Sequence, residues 1–105
     1  MAKGFDMNQL MRQAQEMQAQ MARAQEQLAN ETVEASAGGG LVTVKATGTG
    51  VIQEIKIDPK AIDPDDAELL EDTVLAAVNE ALRAAQALAE SKLGGSLGGL
   101  GLPGL

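Results

Sequence analysis

From Asp6 to Asn30 the chain contains neither glycine nor proline, and its apolar residues fall at alternating steps of three and four. Met7, Leu10, Ala14, Met17, Met21, Ala24 and Leu28 among them form the a and d positions of an unbroken heptad pattern. The residues between them are mostly Gln, Ala and Glu, good helix formers with little β-branching. This segment is expected to be one helix roughly 37 Å long at about 1.5 Å per residue. Its methionine-rich stripe is expected to be buried core.

After Asn30 the period changes to two. Val33, Ala35 and Ala37 alternate with Thr32, Glu34 and Ser36, and Gly38-Gly39-Gly40 follows as a turn. Leu41 to Thr47 is expected as a second strand, with Val42, Val44 and Ala46 inward and Thr43, Lys45 and Thr47 outward. Gly48-Thr49-Gly50 supplies a second hairpin turn. Val51 to Ile57 then forms a third strand with Val51, Ile55 and Ile57 on one face. Asp58-Pro59 ends it. The expectation is a three-stranded antiparallel meander with one apolar face.

Asp63-Pro64-Asp65-Asp66 reads as a helix start, with Asp63 as N-cap, Pro64 at the first helical position and acids facing the helix dipole. The second helix is expected to reach Leu93 and stop at Gly94-Gly95. It carries an apolar seam at Ala67, Leu70, Val74, Ala77, Ala81, Ala84 and Leu88, and a second stripe at Leu75, Val78, Leu82, Ala85 and Ala89. A helix apolar over so wide an arc must bury two sides. The sheet and the first helix cannot cover both along its whole length, which implies a second subunit. The fold class is thus α+β, one long helix, a meander and a second long helix, over a single domain of residues 1–93. Residues 94–105 are expected to be a flexible Gly/Leu-rich tail.

The 105 residues include no Cys, His, Trp or Tyr, and Phe5 is the one aromatic. Disulfides, thiolate metal sites and cysteine nucleophiles are therefore excluded, and the commonest general base and metal ligand are missing. Gly48 and Gly50 resemble the start of a dinucleotide fingerprint, but Gln53 stands where the third glycine belongs, and a strand follows. The acids from Asp63 to Asp72 do not fit a calcium loop, since Glu68 and Val74 occupy the positions that need Gly and Glu. No catalytic site, cofactor, metal or small-molecule substrate is expected. No apolar run has the length of a membrane span or a signal-peptide core, so the expected compartment is the cytoplasm.

The net charge of −7 argues against attraction to nucleic acid, but the charge is unevenly placed. Residues 1–16 and 79–92 are balanced, with Lys3, Arg12, Arg83 and Lys92 against Asp6, Glu16, Glu80 and Glu90, and residues 17–78 carry the whole −7. Arg12 and Arg23 share nearly one helical stripe. If the helices pack antiparallel with facing positions summing to about 95, Arg12 comes near Arg83 and Lys3 near Lys92 at a free end. Solvated helix faces would show the same charge pattern.

In order along the chain, Met7-Asn8-Gln9-Leu10-Met11-Arg12-Gln13-Ala14-Gln15-Glu16-Met17-Gln18, Val33-Glu34-Ala35-Ser36-Ala37-Gly38-Gly39-Gly40-Leu41-Val42, Ile57-Asp58-Pro59, Leu69-Leu70-Glu71-Asp72, Ala76-Ala77-Val78-Asn79-Glu80-Ala81 and Gly98-Gly99-Leu100-Gly101-Leu102-Pro103-Gly104 resemble the YbaB/EbfC family. The resemblance implies a homodimer with protruding helical arms, association with the bacterial nucleoid, and binding of double-stranded DNA that alters its conformation. Both helices are implicated in the family's DNA contact, which makes Lys3, Arg12, Arg23, Arg83 and Lys92 the candidate DNA-binding residues. Gln or Ala fills many helix positions where such proteins carry Lys, and the tail has no basic residues. Two readings remain open beside this one. The outer sheet face, with Lys45 and Lys56, could be the DNA surface, or the chain could be a coiled-coil-like protein interaction module without DNA binding.

Overall fold

The structure is a computed structural model that describes residues 6–98, with side-chain surroundings for residues 6–94. The elements run α1 (Met7–Asn30), β1 (Thr32–Ala37), β2 (Val42–Thr47), β3 (Ile52–Ile57), a short 3-10 turn at Pro59–Ala61, and α2 (Ala67–Gly98). This is the α-β-β-β-α order expected, with the sheet an antiparallel meander ordered β1-β2-β3.

Helix α1 starts where Asp6 accepts hydrogen bonds from the backbone N–H groups of Asn8 (3.0 Å) and Gln9 (3.4 Å). Its end is closed from across the fold. The Gly48 N–H donates to the carbonyls of Leu28 (2.9 Å) and Glu31 (3.0 Å), satisfying acceptors the last helical turn leaves open. A Cβ at Gly48 would sit 2.8 Å from the Leu28 carbonyl oxygen and 2.9 Å from its Cδ2, so only glycine permits the approach. Gly48→Ala is expected to cost about 1–3 kcal/mol, because backbone rather than a flexible side chain must yield. A thermal melt reads this as a Tm lowered by roughly 4–8 °C per kcal/mol.

Two sequence expectations are corrected in the sheet. Lys45 pairs with Glu54 but Ala46 pairs with Ile52, so Gln53 is an extra residue in the ladder. This β-bulge switches the parity of β3, and Ile52 takes the inward place expected for Val51, which is 57% exposed. Thr47 is buried rather than outward, because its hydroxyl closes the second hairpin. Its Oγ1 lies 2.8 Å from Thr49 Oγ1 and accepts from the Val51 N–H at 3.1 Å.

Helix α2 also starts later than expected. Asp63-Pro64-Asp65-Asp66 forms a turn, with the Asp66 N–H donating to the Asp63 carbonyl and the Asp65 N–H to the Asp63 carboxylate. Asp66 does the capping, accepting from the Leu69 N–H at 3.2 Å. At the other end the helix continues through Gly94 and Gly95 to Gly98. Glycine weakens a helix by about 1 kcal/mol relative to Ala but does not end it unless the chain turns left-handed there. Residues 99–105 of the expected tail, and Lys3, lie outside the described residues.

The core lies between α2 and the first two strands. Val42, Val44 and Ala46 meet Ala77 and Ala81, all fully buried, with Val33, Ala35, Leu70, Val74 and Val78 packed around them. The small alanines let the helix lie close on the sheet without any aromatic filler. The radius of gyration is 20.8 Å and the molecule measures 79 × 25 × 16 Å. A compact chain of this length would have a radius near 13 Å. The excess is α1, which leans on α2 only through its last turns.

Candidate nucleic-acid interface

In α1 only Ala24 and Leu28 are buried; every other residue from Met7 to Asn30 is exposed. Leu28 meets Leu82, Ala85, Ala89 and Leu93 of α2 around an apolar crevice edged by Gln25 and Gln86. Beyond that contact α1 runs on as a free arm. The expectation that its methionine stripe is core is therefore not met within the chain, as Met7, Leu10, Met17 and Met21 are 41–60% exposed.

The expected antiparallel register is also overturned. Lys92 Nζ sits 2.8 Å from Glu31 Oε1, just past the C-terminal end of α1. The register expected would set Leu28 and Glu31 against positions near 67 and 64; they meet residues 82–93 instead, some fifteen to twenty-eight residues further along α2. The cause is the Gly48 turn, which anchors the end of α1 at the level of Leu28 and sends its start beyond the end of α2. Arg12 therefore stands far from Arg83. No cluster of arginines from both helices forms among the described residues.

The cations are held differently. Arg83 is exposed but lies 2.6 Å from Glu80 one turn away on its own helix. Lys92 is committed to Glu31, and its ammonium tethers α1 to α2. Lys45 and Lys56 on the outer sheet face both approach Glu54 at 3.9 Å. Arg12, Arg23 and Lys60 have no ion-pair partner among the described residues, although the Arg23 Nε–H donates to the Ala19 carbonyl at 3.4 Å. Lys60 lies between Asp58 and the acidic turn of Asp63, Asp65 and Asp66. Arg12 and Arg23 lie on one exposed stripe of α1, about 16 Å apart. They face away from the apolar seam. The sequence alone could list these cations but could not separate the open ones from the paired ones.

No group of three or more carboxylates among the described residues is placed to hold a metal ion. No described helix is long and apolar enough to cross a membrane.

Residues 3–100 match the profile of the YbaB/EbfC DNA-binding family. A nucleoid-associated protein of Ruminiclostridium cellulolyticum is 53% identical over 103 residues, covering 97% of this chain and 90% of that one. One from Acetivibrio thermocellus is 55% identical, covering 97% and 91%, and one from Saccharopolyspora erythraea is 51% identical, covering 95% and 94%. Among solved structures, an uncharacterized protein of Helicobacter pylori superimposes with a TM-score of 0.78 at 22% identity, over 89% of this chain and 98% of that one; that likeness shows the fold. The family is one of DNA-binding proteins and not of enzymes. An arm carrying open arginines on a small α-β-β-β-α body, matched by the family profile over nearly its full length, makes this chain a member of the YbaB/EbfC DNA-binding family.

Proposed function

We propose that this chain is a nucleoid-associated protein that binds duplex DNA as a homodimer, with low sequence specificity, and alters the conformation of the DNA it holds. The observation that carries the DNA reading is the α1 arm, with Arg12 and Arg23 open on one stripe clear of the acidic body. The relatives at about half identity are named nucleoid-associated proteins, which supports a place on the nucleoid in the cytoplasm.

Arg12 and Arg23 are the first phosphate contacts in this reading, with Lys3 and Arg83 as further candidates. Lys92 contributes less to DNA than to holding the arm. Guanidinium groups on a helix neutralise phosphates without reading sequence, and too few are present to read guanine edges in number.

The homodimer is supported by the surface that α2 leaves open. The inward face of β3 is not covered, so Ile55 and Ile57 are 44% and 37% exposed, and Leu75 of α2 beside them is 59% exposed. Ile57, Leu70, Val74, Leu75 and Val78 line one apolar groove there, with Glu71 as its single polar neighbour. Continuous apolar patches of this kind on a small chain mark an interface. An isologous pair would cover the near part of the second stripe of α2, Leu75 and Val78, whose far part meets Leu28 of α1.

Fluorescence anisotropy on duplexes of equal length and unrelated sequence tests the function. Affinities within a few-fold of one another are expected. A preference of 10³-fold or more for one sequence, the usual range for specific over non-specific binding, would refute the low-specificity reading. Failure to bind any duplex at low salt would favour the coiled-coil-like protein interaction module without DNA binding.

A further inference from the structure

Beyond the dimer surface on α2 and β3, a second apolar face remains open at the far end of the molecule. It is the α1 seam from Met7 to Met17, where Met7, Leu10 and Met17 are 60%, 50% and 44% exposed. Further along, the same seam is used in the ordinary way, with Ala24 and Leu28 against α2. The seam thus continues past the point where its own chain has a helix to offer.

The residues beside the seam say what can cover it. Between residues 7 and 21 the flanking e and g positions are Met11, Gln13, Gln18 and Gln20, none of them charged. The four charges of α1, on Arg12, Glu16, Arg23 and Glu26, all fall at c and f positions on the far side. Charged e and g residues are what discriminate between coiled-coil partners, and here nothing repels an identical helix. A glutamine amide both donates and accepts, so it pairs with its own copy. The distal half of α2 offers no matching face, since its exposed residues include Arg83, Gln86, Glu90 and Ser91.

We propose that the α1 arm pairs with the α1 arm of a second copy outside the α2/β3 dimer, antiparallel, through Met7, Leu10, Ala14 and Met17. The antiparallel sense is the one α2 already takes on this seam. It sets Met7 against the partner's Met17 and Leu10 against the partner's Ala14, bulky beside small in the central layers. A parallel pair would stack Ala14 on Ala14 and leave a void. The arginines stay outward in the paired state, so arm pairing and DNA contact use opposite faces of one helix. A dimer has two such arms and joins two neighbours.

Cross-linking of single cysteines reads this directly, because the chain has no cysteine of its own. Met7→Cys and Met17→Cys chains, mixed and oxidised at high concentration, are expected to form a disulfide-linked pair. Neither variant alone should do so, since its two sulfurs would lie roughly 15 Å apart along the arm. Adding Leu10→Glu to both is expected to slow linking about tenfold or more, with circular dichroism unchanged because Leu10 is exposed. The link is expected to persist when Leu75→Asp is placed in both chains, since that residue belongs to the other surface. Self-linking of either variant alone, no link in the mixture, or loss of the link with Leu75→Asp would each overturn the proposal. Failure of the α2/β3 dimer itself would appear separately, as a wild-type monomer in dilute solution.

Discussion

Replacing Arg12 and Arg23 together by Ala is expected to weaken binding to every duplex alike, by about 10²- to 10³-fold near 0.1 M salt. Two arginines on each of two arms account for as many as four phosphates, and each contributes a slope of about 0.9 in log K against log salt. Both side chains are exposed, and their stems cover no core, so folding should be unaffected. Lys45→Ala with Lys56→Ala is the control on the outer sheet face, where Glu54 already draws both ammonium groups. Lys92→Met is a second control. It should lower stability by about 1 kcal/mol, because Glu31 loses its partner at a half-exposed site, while changing affinity much less than the α1 pair. If the sheet pair abolishes binding while the α1 pair leaves it intact, the DNA surface is the sheet.

The second large effect concerns assembly. Leu75→Asp should convert a dimer into a folded monomer, raising the dimer Kd by about 10³-fold. An isologous interface receives the carboxylate twice, and each burial without a partner costs about 2 kcal/mol or more. Leu75 is the right position because it is largely exposed in the single chain, whereas Val78 also packs on the chain's own core. Sedimentation velocity at low micromolar concentration distinguishes the outcomes. A wild-type monomer there, or a variant dimer as stable as wild type, would contradict the assignment of this groove to a second subunit.

Periodicity made much of this molecule legible beforehand. The heptad spacing from Met7 to Leu28 gave α1 its bounds, and alternation with glycine turns gave β1 and β2 their faces. The doubly apolar α2 showed that one side would stay open. What periodicity does not carry is the placement of one element against another. The bulge at Gln53 depends on how β3 meets β2 and leaves only a broken alternation in the sequence. The slide of α1 along α2 depends on the Gly48 N–H meeting the Leu28 carbonyl, a contact between residues twenty apart with no local signature. That slide decides the candidate site. It separates Arg12 from Arg83, pairs Lys92 with Glu31, and leaves the arm to act through α1 alone. The acidic run from Asp63 misled by one turn because Asp63 and Asp66 are equally good caps, and the Pro64 turn gave the role to the second.

The salt dependence of duplex binding tests the central claim most directly. With Arg12 and Arg23 on each of two arms, and Lys3 or Arg83 as a further candidate contact, log K should fall against log salt with a slope of about −3.5 to −5.5. The −7 of each chain is screened within about 8 Å at physiological salt, so binding should be present there but weaker than for a basic protein of similar size. A linear decline in that range, on duplexes of any sequence, is the result expected of phosphate contact by the arms. Affinity that does not change with salt, or no binding even at the lowest salt, would contradict it.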